Sequence, residues 1–275
     1  MTAWLPTPLA RALLAVPCGA RVTVSLDLGR STTTVLRSPG GIDTGSLTLS
    51  EETLKSIARF RDLIVEATPS GAVLPLRVVH EGKLHQLVPT KTAPTVMIAG
   101  IQMHRRDDAW EDAKTKARRV VRKGAWVLDT CGGLGYTASC ALDAGAGLVV
   151  STEPNPAILA LRRHNPWSPP DGTTGLCLHG IPVERLVESL PGGTFDAVLH
   201  DPPRFSLAGW LYGRSFYATL RRVMRTGGRL YHYTGEPYRK KRGNAFVHNT
   251  AGRLSEAGFS VVWDEQTAGL VGVAR

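Results

Sequence analysis

From residue 124 onward, short apolar segments alternate with stretches whose apolar residues recur at helical spacing. The apolar segments predict strands at 125–129, 148–153, 175–179, 195–200, 228–234, 259–263 and 270–274. The stretches between them predict helices at 135–143, 156–163, 182–190, 214–225 and 245–257. Because strands and helices alternate and the last two strands are joined by a short turn, the pattern predicts a doubly wound, Rossmann-like α/β sheet with an antiparallel edge.

The stretch before this sheet has a different pattern, dominated by short β-branched segments. Arg21–Leu28 and Thr32–Leu36 flank a Gly-Arg-Ser turn and predict a β-hairpin. Ser50 is a predicted N-cap, because a serine hydroxyl accepts a hydrogen bond from the backbone of the first helical turn. The other predicted elements are a helix from Glu51 to about Phe60 and strands at 63–66, 72–80 and 84–88.

A segment from Pro94 to Arg105 is expected to link these elements to a charged helix at 107–122. Acids at the beginning of that helix and cations at its end complement the helix dipole, so the charge layout has a structural explanation. We therefore expect two domains. Residues 1–104 form a small N-terminal mixed α/β domain, for which holding a large substrate is the functional interpretation, and residues 105–275 form the domain with the seven-stranded sheet.

A glycine-rich turn follows the first strand of the predicted sheet. The strand ends on Asp129, and Cys131-Gly132-Gly133-Leu134-Gly135 then leads into a helix. Glycines let backbone amides approach a ligand closely, and the helix start adds a positive dipole end. Two ligand classes fit this turn. The first is a dinucleotide, because Gly133-x-Gly135-x-x-Ala138 satisfies its fingerprint and Glu153 follows at about the usual twenty residues.

The second ligand class is S-adenosylmethionine, because Asp129 and the glycine turn resemble the first motif of class I methyltransferases. That resemblance implies that Glu153 holds both ribose hydroxyls. The final hairpin favours this family, since a strand order of 3-2-1-4-5-7-6 with an antiparallel seventh strand is typical of it. The resemblance implies cofactor contacts by Asp129, Cys131, Gly133, Gly135, Tyr136, Thr137, Glu153, Pro154, Gly180 and Ile181. Cys131 replaces a glycine of the motif, and Gly180 stands where an acid often meets the adenine amine.

A second acidic motif follows the fourth predicted strand. Asp201-Pro202-Pro203 places a carboxylate at a carboxyl strand end beside the first strand, where open α/β sheets bind ligands. Prolines lack an N–H donor, so their turn presents carbonyl groups. A carboxylate with an adjacent carbonyl can accept both hydrogens of an amino group and orient its lone pair. We therefore predict that Asp201, Pro202 and Pro203 form the catalytic motif.

This motif resembles the Asp-Pro-Pro-aromatic motif of methyltransferases that modify exocyclic amines of nucleobases or glutamine amides. Arg204 stands where an aromatic residue usually stacks on the base, so Phe205 or the arginine plane itself would take that role. A longer resemblance, from about Leu87 onward, is to a group of predicted methyltransferases best known from archaea, with an Asp-Pro-Pro-Arg-Phe-Ser motif. It implies RNA modification at the amino nitrogen of a ribosomal cytidine, and it adds His104 and Tyr233 to the substrate-binding candidates.

The charge of the chain supports a polyanionic partner. The formal net charge is +10 and the isoelectric point is near 9.8. A basic protein attracts nucleic acid in a salt-dependent way. Cations concentrate in Lys114–Lys123 and in the run Arg239, Lys240, Lys241 and Arg242, and we interpret the run as an RNA contact.

Other functional classes are disfavoured by composition. No apolar run approaches the roughly 18 residues of a membrane helix, and the four cysteines form no C-x-x-C pair. The apolar segment near the start is interrupted by Arg11, so we expect a short helix and not a signal peptide. A cytoplasmic location is expected. His200 and His232 are not expected to bind a metal with Asp201, because strand alternation should turn them in different directions and methyl transfer requires no metal.

Together these features predict an S-adenosylmethionine-dependent methyltransferase that acts on a nucleobase amine in RNA. Two alternatives stay open on the same fold. One is a small-molecule N-methyl- or aminopropyltransferase related to the polyamine synthases, whose substrates are cations. The other is a noncatalytic RNA-binding protein, against which the intact acids Asp129, Glu153 and Asp201 argue.

Overall fold

The computed structural model describes residues 2–45, 47–68, 72–104, 108–235 and 245–275. The chain divides into two compact units. The first comprises Met1–Trp110 and Ala160–Ser168, and the second comprises Glu111–Leu159 and Pro169–Arg275. Within the described segments, none of the helices combines the length and the apolar character that crossing a bilayer requires.

The first unit is built mainly from short antiparallel strands. Its elements are β1 (Ala3–Pro6), α1 (Thr7–Ala15), β2 (Arg21–Val24), β3 (Thr33–Ser38), β4 (Gly41–Asp43), β5 (Thr48–Ser50), α2 (Glu51–Ala58), β6 (Ile64–Ala67), β7 (Val73–Pro75), β8 (Arg77–His80), β9 (Lys83–Val88), β10 (Thr95–Ile98) and β11 (Ile101–Gln102). The strands form sheets with the orders β1-β6-β7, β2-β3-β4-β5 and β11-β10-β9-β8. An apolar core surrounds the fully buried side chains of Leu5, Ile42 and Leu54.

The local predictions for this unit have mixed outcomes. The hairpin is confirmed, because β2 and β3 pair antiparallel. The predicted N-cap is also confirmed, since Ser50 Oγ accepts a hydrogen bond from the Thr53 amide at 3.0 Å. The segment expected to link the two domains also contains strands. Strand β10 pairs antiparallel with both β9 and β11, so the backbone groups of these strands are satisfied within a sheet.

The remaining elements alternate between helix and strand as the pattern predicts. They are α3 (Ala109–Val120), β12 (Trp126–Asp129), α4 (Tyr136–Asp143), β13 (Leu148–Thr152), α5 (Pro156–Arg163), β14 (Leu176–His179), α6 (Val183–Glu188), β15 (Phe195–His200), α7 (Phe205–Ala208), a 3-10 helix (Gly209–Tyr212), α8 (Arg214–Val223), β16 (Met224–Tyr233), α9 (Ala245–Glu256), β17 (Phe259–Asp264) and β18 (Gly269–Ala274).

The second unit contains one seven-stranded sheet with the order β14-β13-β12-β15-β16-β18-β17. Strands β12 to β16 run parallel to one another, whereas β18 runs antiparallel to both β16 and β17. Numbered along the chain, this order is 3-2-1-4-5-7-6. The predicted doubly wound sheet with an antiparallel last strand, the class I methyltransferase fold, is confirmed.

The packing of this unit brings two strand ends together. Its core contains large buried side chains from both the sheet and the helices, such as Phe195 on β15, Phe259 on β17 and Tyr217 on α8. Strands β12 and β15 are neighbours, with Asp129 paired to Leu199. The turns that follow these strands therefore leave the same edge of the sheet, at the position where open α/β sheets bind their ligands.

Candidate functional site

Asp129 ends β12, and its side chain is fully buried. Its Oδ2 accepts hydrogen bonds from the hydroxyls of Ser151 at 2.9 Å and Thr137 at 3.0 Å. A buried carboxylate is stable only when it is bonded in this way. Ser151 lies on β13 and Thr137 lies on α4. The Asp129 carboxylate therefore links the end of β12 to both of these elements.

Glycine is required in the turn after Asp129 because neighbouring atoms come very close. A Cβ on Gly132 would lie 2.2 Å from Ser151 Oγ and 3.4 Å from Asp129 Oδ2. Gly133 and Gly135 have φ angles of 50° and 85°, in the left-handed region that favours glycine. The sequence motif indicated Gly133 and Gly135 as site residues, but the crowding at Gly132 appears only when β13 lies beside β12.

Glu153 follows β13 and is held beside the glycine turn by backbone donors. Its Oε2 accepts a hydrogen bond from the Gly133 amide at 3.0 Å, and its Oε1 accepts one from the Asn155 amide at 2.9 Å. Each carboxylate oxygen has a second lone pair and can accept a further hydrogen bond. The acid is thus oriented by the chain itself, at the end of the strand that lies beside β12.

The catalytic motif predicted after β15 forms a partly exposed turn. The Asp201 side chain is 20% exposed. The Tyr212 hydroxyl donates a hydrogen bond to the Pro203 carbonyl at 3.1 Å, which ties the turn to the 3-10 helix. In the described part of the chain, no donor is bonded to the Pro202 carbonyl. The turn therefore contains a carboxylate and a neighbouring carbonyl as acceptors, on a half-buried Asp201 and a buried Pro202.

A buried lysine that the sequence did not single out contacts this carboxylate. Lys116 lies on α3, and its side chain is only 4% exposed. Its Nζ donates to Asp201 Oδ2 at 2.7 Å and lies 2.6 Å from Asp112 Oδ2. It also lies 4.6 Å from the ring centroid of Tyr233. In the sequence, the helix dipole explained all the cations of α3 equally well. Lys116 differs from the others because α3 packs against the sheet and brings this side chain to Asp201.

The side chains of three acids lie near the thiol of Cys131. Burial raises the pKa of this thiol well above its usual value, and a hydrogen bond from the Thr130 hydroxyl opposes that shift. The carboxylates of Glu153, Asp129 and Asp201 each raise the pKa further, since negative charges disfavour a thiolate. All three acids are therefore close enough to act on one atom of the glycine turn, where they create a region of negative potential.

The two histidines near the motif are buried structural residues. The expectation that His200 and His232 point in different directions was wrong, because they are paired across β15 and β16. His200 Nε2 donates to the Leu211 carbonyl at 2.9 Å, and its Nδ1 lies 2.7 Å from the Thr130 hydroxyl. His232 Nε2 lies 2.7 Å from the Tyr217 hydroxyl. In the segments that the structure describes, no cluster of histidine, cysteine or carboxylate side chains could hold a metal ion.

The remaining cofactor candidates lie at strand ends or at the start of α4. Tyr136 is buried at the beginning of α4. Pro154, Gly180 and Ile181 are exposed in the turns that follow β13 and β14. Because these turns follow neighbouring parallel strands, they leave the same edge of the sheet as Asp129 and Glu153.

The substrate candidates are spread over several environments. Arg204 is exposed, and the ring of Phe205 is 37% exposed while it packs against Tyr212 at 5.5 Å between centroids. Tyr233 contacts Lys116. His104 belongs to the first unit, where its Nδ1 lies 2.9 Å from the Thr95 hydroxyl. The basic run Arg239, Lys240, Lys241 and Arg242 lies outside the described residues.

Solved structures with a similar fold include three spermidine synthases. A complex with the transition-state analogue AdoDATO has a TM-score of 0.56 and 15% identity, and the enzyme of Thermotoga maritima has a TM-score of 0.54 and 14% identity. In both cases the alignment covers 74% of this chain and 75% of the other. A probable spermidine synthase of Corynebacterium glutamicum has a TM-score of 0.50 and 12% identity, covering 72% of this chain and 79% of the other. At these identities the likeness concerns the fold.

The comparison with known sequences is more specific. No family model matches the chain. A protein of Methanocaldococcus jannaschii with the name "Uncharacterized protein MJ1233" is 40% identical over 229 residues, which cover 82% of this chain and 78% of that protein. Identity at this level over most of both chains requires a shared fold and a shared ancestry. The chain therefore belongs to the protein family that includes MJ1233 of Methanocaldococcus jannaschii.

Proposed function

We propose that this protein is an S-adenosylmethionine-dependent N-methyltransferase that acts on an exocyclic amine of a nucleobase in RNA. The observation that carries the proposal is the Asp201-Pro202 pair of acceptors at the carboxyl end of β15, beside the end of β12. An amino group has two hydrogens to donate, and this pair accepts both. The class I methyltransferase fold places a ligand at the same sheet edge.

The acids at the neighbouring strand ends fit the methyl donor. S-adenosylmethionine supplies a methyl group on a positively charged sulfur. The negative potential that Asp129, Glu153 and Asp201 create around Cys131 favours such a cation. Glu153, oriented by two backbone amides, would accept hydrogen bonds from the two hydroxyls of a ribose.

The chain contributes to the reaction chiefly by orienting the nucleophile. The lone pair of a nucleobase amine is delocalised into the ring, so the amine is a weak nucleophile. Holding it in one orientation can lower the barrier by about 7–11 kcal/mol in favourable cases. Asp201 and the Pro202 carbonyl would fix the nitrogen, and Phe205, which is partly exposed beside them, would stack on the base. A base taken from a helix must first leave the stack.

The charge of the protein supports RNA as the substrate. The net charge of +10 favours binding of a polyanion, and the exposed Arg204 directly follows the catalytic turn. The same overall charge gives no long-range attraction to a polyamine, which is itself a cation. We infer that the amine belongs to an RNA base, with a ribosomal cytidine as the first substrate to test.

Calorimetric titration with S-adenosylhomocysteine tests the cofactor. We expect binding by the wild-type chain and loss of binding in Glu153→Ala. Glu256→Ala is the matched control, because it removes an exposed acid paired with Arg214 on helix α8 and should leave binding unchanged. Binding of NADH in place of S-adenosylhomocysteine would contradict the proposal.

Transfer of a radiolabelled methyl group tests the substrate. We expect incorporation into RNA by the wild-type chain and none by Asp201→Ala, while Asp171→Ala, a change at an exposed loop acid, should retain it. Transfer only to polyamines would favour the small-molecule alternative, and RNA binding without any transfer would favour the noncatalytic one. Profiling modified nucleosides in RNA from cells with and without the protein would identify the nucleotide.

A further inference from the structure

Lys116 is placed so that it occupies one oxygen of Asp201 and leaves the other to the substrate. The ammonium lies 2.7 Å from Asp201 Oδ2 and 2.6 Å from Asp112 Oδ2. No hydrogen bond to Asp201 Oδ1 is found among the described residues. A carboxylate with one oxygen pinned by a buried cation cannot rotate freely, so its second oxygen has a defined direction.

The groups around Lys116 keep it charged. Asp112 faces it from its own helix, Asp201 from the turn after β15, and Tyr231 and Tyr233 from β16. Burial by itself would lower the pKa of Lys116, but the carboxylates of Asp201 and Asp112 hold that pKa well above its usual value. The ammonium is thus a permanent neighbour of the carboxylate that would orient the substrate.

We propose that Lys116 is a positioning residue that makes this site selective for an uncharged amino group. The inference rests on the proposed function and specifies its substrate class. An aliphatic amine is protonated near neutral pH, with an ordinary pKa near 10.4, and must lose a proton before it can act as a nucleophile. A protonated amine held by Asp201 would also lie close to the buried Lys116 ammonium, and the two positive charges would repel each other.

An uncharged nucleobase amine needs no such step. Its nitrogen gains the methyl group while the carbon–sulfur bond breaks and its electron pair stays on sulfur, which becomes neutral. The nitrogen then carries the positive charge and releases its extra proton to water. The Asp201 carboxylate acts only as a hydrogen-bond acceptor, which is the role that its pairing with the Lys116 ammonium permits.

The first test is the pH dependence of methyl transfer to RNA by the wild-type chain. An uncharged nucleophile predicts a value of kcat/KM that is nearly constant between about pH 6.5 and 8.5. A protonated aliphatic amine predicts an increase of about tenfold per pH unit, because the reactive fraction of such an amine rises in that proportion below its pKa. A tenfold slope would overturn the inference.

The second test replaces the lysine. In Lys116→Met, Asp201 and Asp112 face each other without a cation, and two adjacent carboxylates disfavour joint ionisation, so one of them retains a proton at higher pH. We expect kcat for RNA to fall on the order of 100-fold, with the S-adenosylhomocysteine affinity nearly unchanged and activity rising with pH. Lys114→Met is the matched control, because Lys114 lies on the same helix and pairs with Glu111 near the surface.

The outcomes separate this inference from the proposed function. If Lys116→Met does not fold, the double variant Lys116→Met/Asp112→Asn leaves a single carboxylate and should show the same loss of kcat with normal cofactor binding. RNA methylation by the lysine variant with wild-type kcat and an unchanged pH profile would overturn the inference alone. Absence of methyl transfer to RNA by the wild-type chain would contradict the proposed function and the inference together.

Discussion

His200 and His232 occupy paired positions on the parallel strands β15 and β16, and their ring centroids lie 4.5 Å apart. Burial lowers the pKa of His200 to about 4, and burial together with the neighbouring His200 lowers the pKa of His232 well below its usual value. Both rings are therefore neutral at physiological pH. Each ring is hydrogen-bonded, and His200 immediately precedes Asp201 in the chain.

These histidines predict a loss of stability in mild acid. Between pH 6.5 and about 4 the unfolded chain protonates His200 but the folded chain does not, so acidification favours unfolding. The free energy of unfolding should fall by up to about 3 kcal/mol across this window because of His200 alone. Urea denaturation at a series of pH values should show a smaller pH slope in His200→Gln. His248→Gln, at an exposed position of α9, should keep the wild-type slope.

Gly132→Ala should abolish cofactor binding. The new Cβ would lie 2.2 Å from Ser151 Oγ, so either the turn or the hydrogen bond from Ser151 to Asp129 must shift. Calorimetry with S-adenosylhomocysteine is the measurement. Gly252→Ala is the control, because it lies exposed in α9 with no atom within 4 Å of an added Cβ. It should stabilise the fold by about 0.5–1 kcal/mol and bind normally. Normal binding by Gly132→Ala would show that the turn is not the cofactor site.

Tyr212→Phe should reduce catalysis more than cofactor binding. It removes the hydroxyl that donates to the Pro203 carbonyl and so loosens the turn that holds Asp201. We expect kcat for RNA methylation to fall about tenfold or more, with S-adenosylhomocysteine affinity within about twofold of wild type. Tyr217→Phe removes a comparable buried hydrogen bond, to His232, and serves as the control for lost stability. Equal effects of the two variants on kcat would argue against a role for the Pro203 contact.

The basic run should contribute to RNA affinity through charge. Replacing Arg239, Lys240, Lys241 and Arg242 with glutamine should weaken binding to single-stranded RNA and reduce the slope of log affinity against log salt by up to about 3, at roughly 0.7 per neutralised cation. Filter binding at several salt concentrations measures this slope. The control is the double change Arg214→Gln and Arg225→Gln, at cations already paired with acids. An unchanged slope in the fourfold variant would exclude the run from the RNA interface.

Local patterns were sufficient for the main features of the second unit. The period of apolar residues predicted its strands and helices, because a buried strand or helix face must be apolar wherever it packs. The glycine turn after Asp129 and the Asp201-Pro202-Pro203 turn could also be predicted locally. The backbone geometry at a strand end depends on a few adjacent residues. Even the antiparallel hairpin of β17 and β18 follows from the short connection between them.

Contacts between distant parts of the chain were decided only by the tertiary structure. Lys116 and Asp201 are 85 positions apart, and the charges of α3 satisfied the helix dipole equally well without that contact. The crowding at Gly132 and the pairing of His200 with His232 likewise depend on which strands lie side by side and in which register. Periodicity shows which face of an element is buried, but the partner on that face is chosen by packing of the whole sheet. The sequence alone thus determined the elements and the chemical groups at their ends, and tertiary packing decided which of those groups meet.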